Sequence, residues 1–248
     1  MANDKPGVLI AEHLIKSNDE IVRLYLHNEK NRKLSDKIVE NAKCDDIYFA
    51  KDLKDMDHIS TINKLEADFI ITVYWAHLLS PDVYNSVKDT VNFHPAYLPI
   101  NRGWYPHVHS IIDGTKLGVT LHRIDENADT GPIWVQKEIM LSPFDTAKTI
   151  YARLQVEIVE LFKSNWEKIK FGEIRPFNQD NSIVVYHKKT ELDHLDNLNL
   201  DDQIKIKDLI NILRARAFGD MGFAFYHEKG KKVFLNLRLS DSIHFNKE

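Results

Sequence analysis

Asn92 and His94 sit two apart in the run Val91-Asn92-Phe93-His94-Pro95-Ala96-Tyr97-Leu98-Pro99. The run reads as a short strand that stops in a loop. Alternate residues of a strand share a face, so an amide and an imidazole are delivered side by side. Pro95 cannot donate to a sheet ladder and Pro99 sets a second bend, which places the pair at the strand's carboxyl end. Open α/β sheets bind ligands at that end. A carboxylate, Asp129, lies further on in Asp125-Glu126-Asn127-Ala128-Asp129-Thr130-Gly131-Pro132, a turn after another apolar strand. An imidazole can move protons near neutral pH. A side-chain amide can donate to an oxyanion without changing its charge. A nearby carboxylate favours the protonated imidazole and orients it. Together these are the parts of an acyl-transfer site.

The elements that must position them alternate strand with helix. Strands are expected at 21–26, 46–50, 67–74, 91–94, 116–124 and 131–141. Helices are expected at 8–15, 34–42, 52–64, 104–112 and 146–171, with a short one begun by Ser80 and Pro81. Such alternation argues for a Rossmann-like, mostly parallel sheet flanked by helices. The strands at 116–124 and 131–141 are expected to pair across the Asp129 loop. The longest helix carries the stripe Ile150, Leu154, Ile158 and Leu161 or Phe162. Asn3 to Gly7 reads as the loop that follows a first strand, yet no apolar strand precedes it. Either that strand is missing from the fold or residues 1–15 do something else locally. The texture changes after Pro176. Residues 1–176 are expected to form the catalytic domain, and 177–248 a small α+β appendage with a strand at 182–187, a helix at 204–217 and a closing hairpin of 222–226 with 232–237.

Composition narrows the function classes. The chain has 248 residues with a formal charge of -4, so no global field recruits nucleic acid. Cys44 is the single cysteine, which leaves neither a disulfide framework nor a cysteine zinc site. His107 and His109 are two apart in an expected helix and do not share a face, so the histidines do not read as a metal site. The amino terminus lacks a signal-peptide pattern, and the longest apolar run, 69–79, is too short to span a bilayer. The chain reads as cytoplasmic, with no membrane insertion.

The order Asn-x-His-Pro, then Leu-Pro, then Asp-x-Gly resembles the folate-dependent formyltransferases, most clearly over residues 65–140. Asn101-Arg102-Gly103 resembles the sugar N-formyltransferase branch. The resemblance implies that Asn92, His94 and Asp129 are the catalytic trio and 10-formyltetrahydrofolate the formyl donor, with no metal. It implies that Tyr74, Trp75 and Leu79 line the pterin slot, and that Asp125, Asn127 and Gly131 wrap the ring. A nucleotide-linked amino sugar is the implied acceptor, by analogy dTDP-4-amino-4,6-dideoxyglucose or a 3-amino relative used for surface polysaccharide such as O-antigen. His77 and Arg102 are candidates for phosphate, Tyr105 for the substrate, and Tyr186 and Phe218 for stacking on the base. A homodimer through the closing hairpin is implied as well. The rival readings are a formyltransferase for another amine, methionyl-tRNA included, a formylfolate hydrolase, and a non-catalytic folate or nucleotide binder.

Overall fold

The long helix α6 (Ala147–Lys170) explains most of the architecture. Thr146 starts it with a capping box, accepting from the Thr149 amide while Thr149 returns the bond. Its fully buried stripe is Ile150, Leu154, Ile158 and Phe162; Leu161 is only partly buried. Burying such side chains stabilises by about 1.5–3 kcal/mol each, which makes this helix a main source of fold stability. Trp166 donates through Nε1 to Asp19 at 2.6 Å and ties the far end of α6 to the segment after α1 (Asp4–Lys16).

The computed structural model describes residues 1–240. After α1 the chain alternates β1 (Leu24–Leu26), α2 (Ser35–Ala42), β2 (Ile47–Phe49), α3 (Met56–Ile62), β3 (Phe69–Val73), α4 (Pro81–Tyr84) and β4 (Asp89–His94). β1 pairs parallel with β2, and β3 parallel with β4. Residues 1–3 run between these pairs. The Ala2 amide donates to Tyr25, and Val73 and Asn3 exchange backbone bonds with Met1 and Val73. The expected loop at 3–7 is instead the first turn of α1. Pro6 fits there because a first-turn residue needs no amide donor. The first elements are shorter than expected, with the strand beginning at Leu24 rather than Ile21.

β5 (Arg102–Gly103), α5 (Pro106–Asp113), β6 (Leu117–His122) and β7 (Ile133–Ile139) follow. The expected pairing of 116–124 with 131–141 is present: β6 runs antiparallel to both β4 and β7, giving the order β3-β4-β6-β7. Every residue of β6 is buried, because helices cover one face and the site loops the other. The register sets Asn92 opposite His122 and His94 opposite Thr120.

The carboxyl-terminal region is stitched to the rest. β8 (Tyr186–His187) pairs parallel with β5. α7 (Glu191–Asp196), α8 (Ile206–Ala215), β9 (Ala217–Phe218) and β10 (Met221–Gly222) follow. The Arg214 guanidinium, buried on α8, donates to the carbonyls of Ser142, Pro143 and Asp145. The closing hairpin pairs β11 (Phe225–Glu228) with β12 (Lys231–Phe234), three residues later in its first strand than the sequence pattern suggests and tighter in its turn. Gly222 and Phe223 leave the hairpin because β10 folds back on β9. α7 was not legible as a helix, since Glu191-Leu192-Asp193-His194-Leu195-Asp196 carries too short a pattern to assign. The part of the appendage at 241–248 lies outside the described residues.

Thr120 shows how the sheet holds the loop beyond His94. Its fully buried hydroxyl donates to the Ala96 carbonyl at 2.7 Å and accepts from the Leu98 amide at 3.2 Å. Thr120→Val leaves both backbone groups without their partner. It should lower stability by about 2–4 kcal/mol, read as a shift of the urea midpoint with an unchanged slope.

Candidate active site

β4 and β6 end side by side, and the β6–β7 loop folds over them. This brings Asn92, His94, His122 and Asp129 to one wall of a cavity of about 430 Å³. His94 Nδ1 lies 3.3 Å from Asp129 Oδ1, while its Nε2 faces the Asn101 carbonyl at 3.2 Å. Burial lowers the pKa of His94, with Asp129 opposing that shift, so the ring is neutral at neutral pH. Both ring nitrogens face acceptors, so a proton gained by the ring meets a partner on each side. Burial pushes the Asp129 carboxyl up, but His94, His122 and the Gly103 amide outweigh it and hold the acid well below the usual carboxylate range. The Gly103 amide donates to Asp129 Oδ2 at 3.0 Å. Only glycine fits at 103, where φ is +89° and a Cβ would meet the His187 carbonyl at 2.4 Å.

Asn92 is oriented by a chain of bonds through His122, a residue that sequence reading did not place in the site. His122 Nδ1 lies 2.6 Å from the Arg123 carbonyl and must donate to it. In that tautomer Nε2 is an acceptor, and it takes a proton from Asn92 Nδ2 at 2.8 Å. Asn92 Oδ1 then accepts from the Thr72 hydroxyl at 2.6 Å. The second Nδ2 hydrogen is left for a ligand. The available signal was the shared face of Thr120 and His122, but only the β4–β6 register shows which residue they oppose.

Backbone strain collects here. Tyr74, Asn101, Tyr105 and Asp129 all have φ between 53° and 59°, the left-handed region that non-glycine residues seldom adopt. Tyr74, Tyr105 and Asp129 line the cavity, while Asn101 is the residue that receives His94.

Of the other expected contacts, Trp75, His77, Leu79, Asn127 and Tyr186 also line the cavity. Asp125, Gly131, Arg102 and Phe218 do not. Asp125 accepts from the Thr130 hydroxyl and shapes the loop from within. A Cβ at Gly131 would meet the Arg123 carbonyl at 2.0 Å, so that glycine permits the loop to close rather than touching a ligand. The Arg102 side chain is buried and donates to Gln179 and Asn181, not outward to a phosphate. Phe218 packs beside Tyr151 against the main core. Gln179, unremarked in the sequence, completes the tie by donating to the carbonyls of Asp129 and Gly131.

Residues 14–164 match the family described as Formyl transferase, a span that includes the whole trio. The chain belongs to this formyl transferase family. Residues 191–241 match the N-formyltransferase dimerization C-terminal domain. The dTDP-4-amino-4,6-dideoxyglucose formyltransferase of Mycobacterium tuberculosis is 36% identical over 153 residues, 60% of this chain and 64% of that protein. The chain thus spans less than two thirds of that relative's length. A 4-N formyltransferase from Francisella tularensis superposes with a TM-score of 0.81 at 26% identity, covering 97% of each chain. A formyltransferase from Anoxybacillus kamchatkensis, solved with UDP-4,6-dideoxy-4-formamido-L-AltNAc and tetrahydrofolate, gives a TM-score of 0.56 at 30% identity over 69% of this chain and 88% of that one.

Metal-capable atoms of the formyltransferase chain do gather in one place among the described residues, at His109, His187 and Glu191. The two imidazoles are stacked 3.4 Å apart and nearly parallel, so their lone pairs do not converge on a common point. His187 already holds Glu191 through Nδ1 and Asn101 through Nε2. The group is a clasp joining α5 to β8 and α7.

The coupling of His94 to Asp129 can be read directly. Asp129→Asn removes the carboxylate that opposes burial, so the His94 pKa should fall further, as followed by NMR titration of its ring protons. An upward shift would contradict this arrangement.

Proposed function

We propose that the protein transfers the formyl group of 10-formyltetrahydrofolate to the amine of a nucleotide-linked amino sugar, with dTDP-4-amino-4,6-dideoxyglucose as the leading acceptor. The observation that carries this reading is the set of Asn92, His94 and Asp129 on one cavity wall, in a chain of the formyl transferase family. Similarity to sugar formyltransferases of Mycobacterium and Francisella supports the choice of acceptor.

The amine attacks the formyl carbon as the free base. Its carbonyl oxygen becomes an oxyanion, to which Asn92 donates its free Nδ2 hydrogen. As the new C–N bond forms, the amine must shed a proton. The Asp129–His94 pair is the receiver. Asp129 is the more accessible of the two, and a protonated His94 has acceptors at both nitrogens. This refines the simpler expectation of His94 acting alone. When the C–N bond to the folate collapses, the same proton passes to the departing folate nitrogen. One proton leaves the amine and one reaches the folate, so the pair ends as it began.

Trp75, His77 and Leu79 with the Asn127 loop form the wall assigned to the pterin, and Tyr105 and Tyr186 contribute to the acceptor side. The nucleotide's negative charge lies outside the cavity, which has no lysine or arginine among its described lining residues. A homodimer is proposed through the carboxyl-terminal region, where Met221, Phe223 and Phe234 are exposed apolar side chains. No helix among the described residues is long and apolar enough to cross a membrane.

The test is an acceptor screen with 10-formyltetrahydrofolate and dTDP-linked 4-amino and 3-amino sugars, read by mass spectrometry for a product one formyl group heavier. His94→Asn and Asp129→Asn should each lower turnover by ~10²-fold or more. Folate consumption without an acceptor would mark a hydrolase instead. A neutral His94 is the active form. Because its pKa is lowered, kcat/KM should be flat at neutral pH and fall only below the ordinary imidazole range. A rate still rising between pH 7 and 8 would contradict that assignment.

A further inference from the structure

The cavity has two ends, and chemistry requires two. Amine and folate nitrogen must both reach the formyl carbon, so the reactants come to the trio from different sides. One end is walled by Leu79, Ile124, Asn127 and Ala128. The other is walled by Tyr74, Tyr105, His107 and Tyr151. The two ends rest on separate cores: Leu79 and Ile124 pack in one cluster, Tyr74 and Tyr105 against another.

The aromatic end holds an unanswered donor. The Tyr74 hydroxyl is fully buried and has no hydrogen-bond partner among the described residues. A buried polar group left so is destabilising, and a ligand that supplies the partner removes the penalty. Tyr74 is also held in left-handed backbone geometry, and its carbonyl faces His27 Nε2 at 3.3 Å. Strain of this kind persists where the surroundings fix a side chain for a purpose.

The surroundings of that hydroxyl describe its ligand. Tyr151 crosses Tyr74 nearly edge-on at 6.0 Å, and His107 lies 5.5 Å from Tyr151. Burial pushes the phenol of Tyr74 well up and drives His107 down to about 4, with Arg216 adding to the latter. These rings are therefore uncharged around neutral pH. Aromatic faces with neutral polar tips suit a ring that carries both hydroxyl groups and apolar C–H faces. They do not suit a phosphate, since no cation lines the cavity and the nearest charge is the Asp4 carboxylate, 3.4 Å from the Tyr151 hydroxyl. Neither does a polyanionic glutamate tail fit beside that carboxylate.

We propose that the acceptor's sugar ring sits at this aromatic end and that the Tyr74 hydroxyl bonds one of its ring hydroxyls, making Tyr74 a specificity-determining residue. This moves the Tyr74 side chain from the pterin slot to the acceptor. It rests on the amino-sugar reading above.

The experiment compares wild-type protein with Tyr74→Phe, measuring KM separately for the amino-sugar nucleotide and for 10-formyltetrahydrofolate, with thermal melting of both proteins alone. The variant should raise the acceptor KM by about fivefold to tenfold, the loss of one neutral hydrogen bond. The folate KM should stay put, and Tm should hold or rise because a buried unsatisfied group is gone. An unchanged acceptor KM overturns the assignment, as does a rise confined to the folate KM, which would place the pterin here. A fall in Tm with both KM values unchanged overturns it too, since the hydroxyl would then serve the fold. Wild-type protein that formylates no amino-sugar nucleotide overturns the functional reading itself and this inference with it. Wild-type turnover with an indifferent variant sinks only the inference.

Discussion

A carboxylate inside a protein must be surrounded or it becomes protonated, and the site is arranged around that constraint at Asp129. The residue lies on the β6–β7 loop, yet its partners come from three other places: His94 at the end of β4, His122 at the end of β6 and the Gly103 amide on β5. Each is delivered by a different element, so the charge can be held only when sheet and loops have closed together. Breaking such a buried set by removing one partner leaves an uncompensated charge, which is why its geometry controls both stability and reactivity.

The same closure explains the strained residues. Asp129, Tyr74, Tyr105 and Asn101 each turn the chain sharply where a strand or loop must stop and present a side chain or carbonyl to the site. Local propensity alone would not choose this geometry for such residues. The surrounding packing imposes it. α6 beneath the sheet and Thr120 within it supply rigid support, and the loops above then have little freedom to relax.

The carboxyl-terminal region acts on the site through polar ties. Gln179 bonds the Asp129 loop on one side and Arg102 on the other, while β8 lies against β5, which carries the Gly103 donor. His187 reaches Asn101, whose carbonyl faces His94. A segment far along the chain thereby helps set the environment of both the proton-carrying ring and the carboxylate. The match of residues 191–241 to a dimerization domain places that segment where subunit contact and site geometry share the same support.

The catalytic trio was legible because it depends on local rules. A strand's period of two puts Asn92 and His94 on one face, proline ends the strand, and the order of motifs points to one family. The α6 stripe and the β6–β7 pairing were legible for the same reason, a strong short-range period. Tertiary structure decided the rest. His122 enters the site through the β4–β6 register, which no single strand encodes. Arg102 turns away from the cavity because its partners, Gln179 and Asn181, come from 77 and 79 residues later. A side chain's type states what it can bond, but its partner is set by whichever segment the folded chain brings beside it, and that is a property of the whole core rather than of its neighbours in sequence.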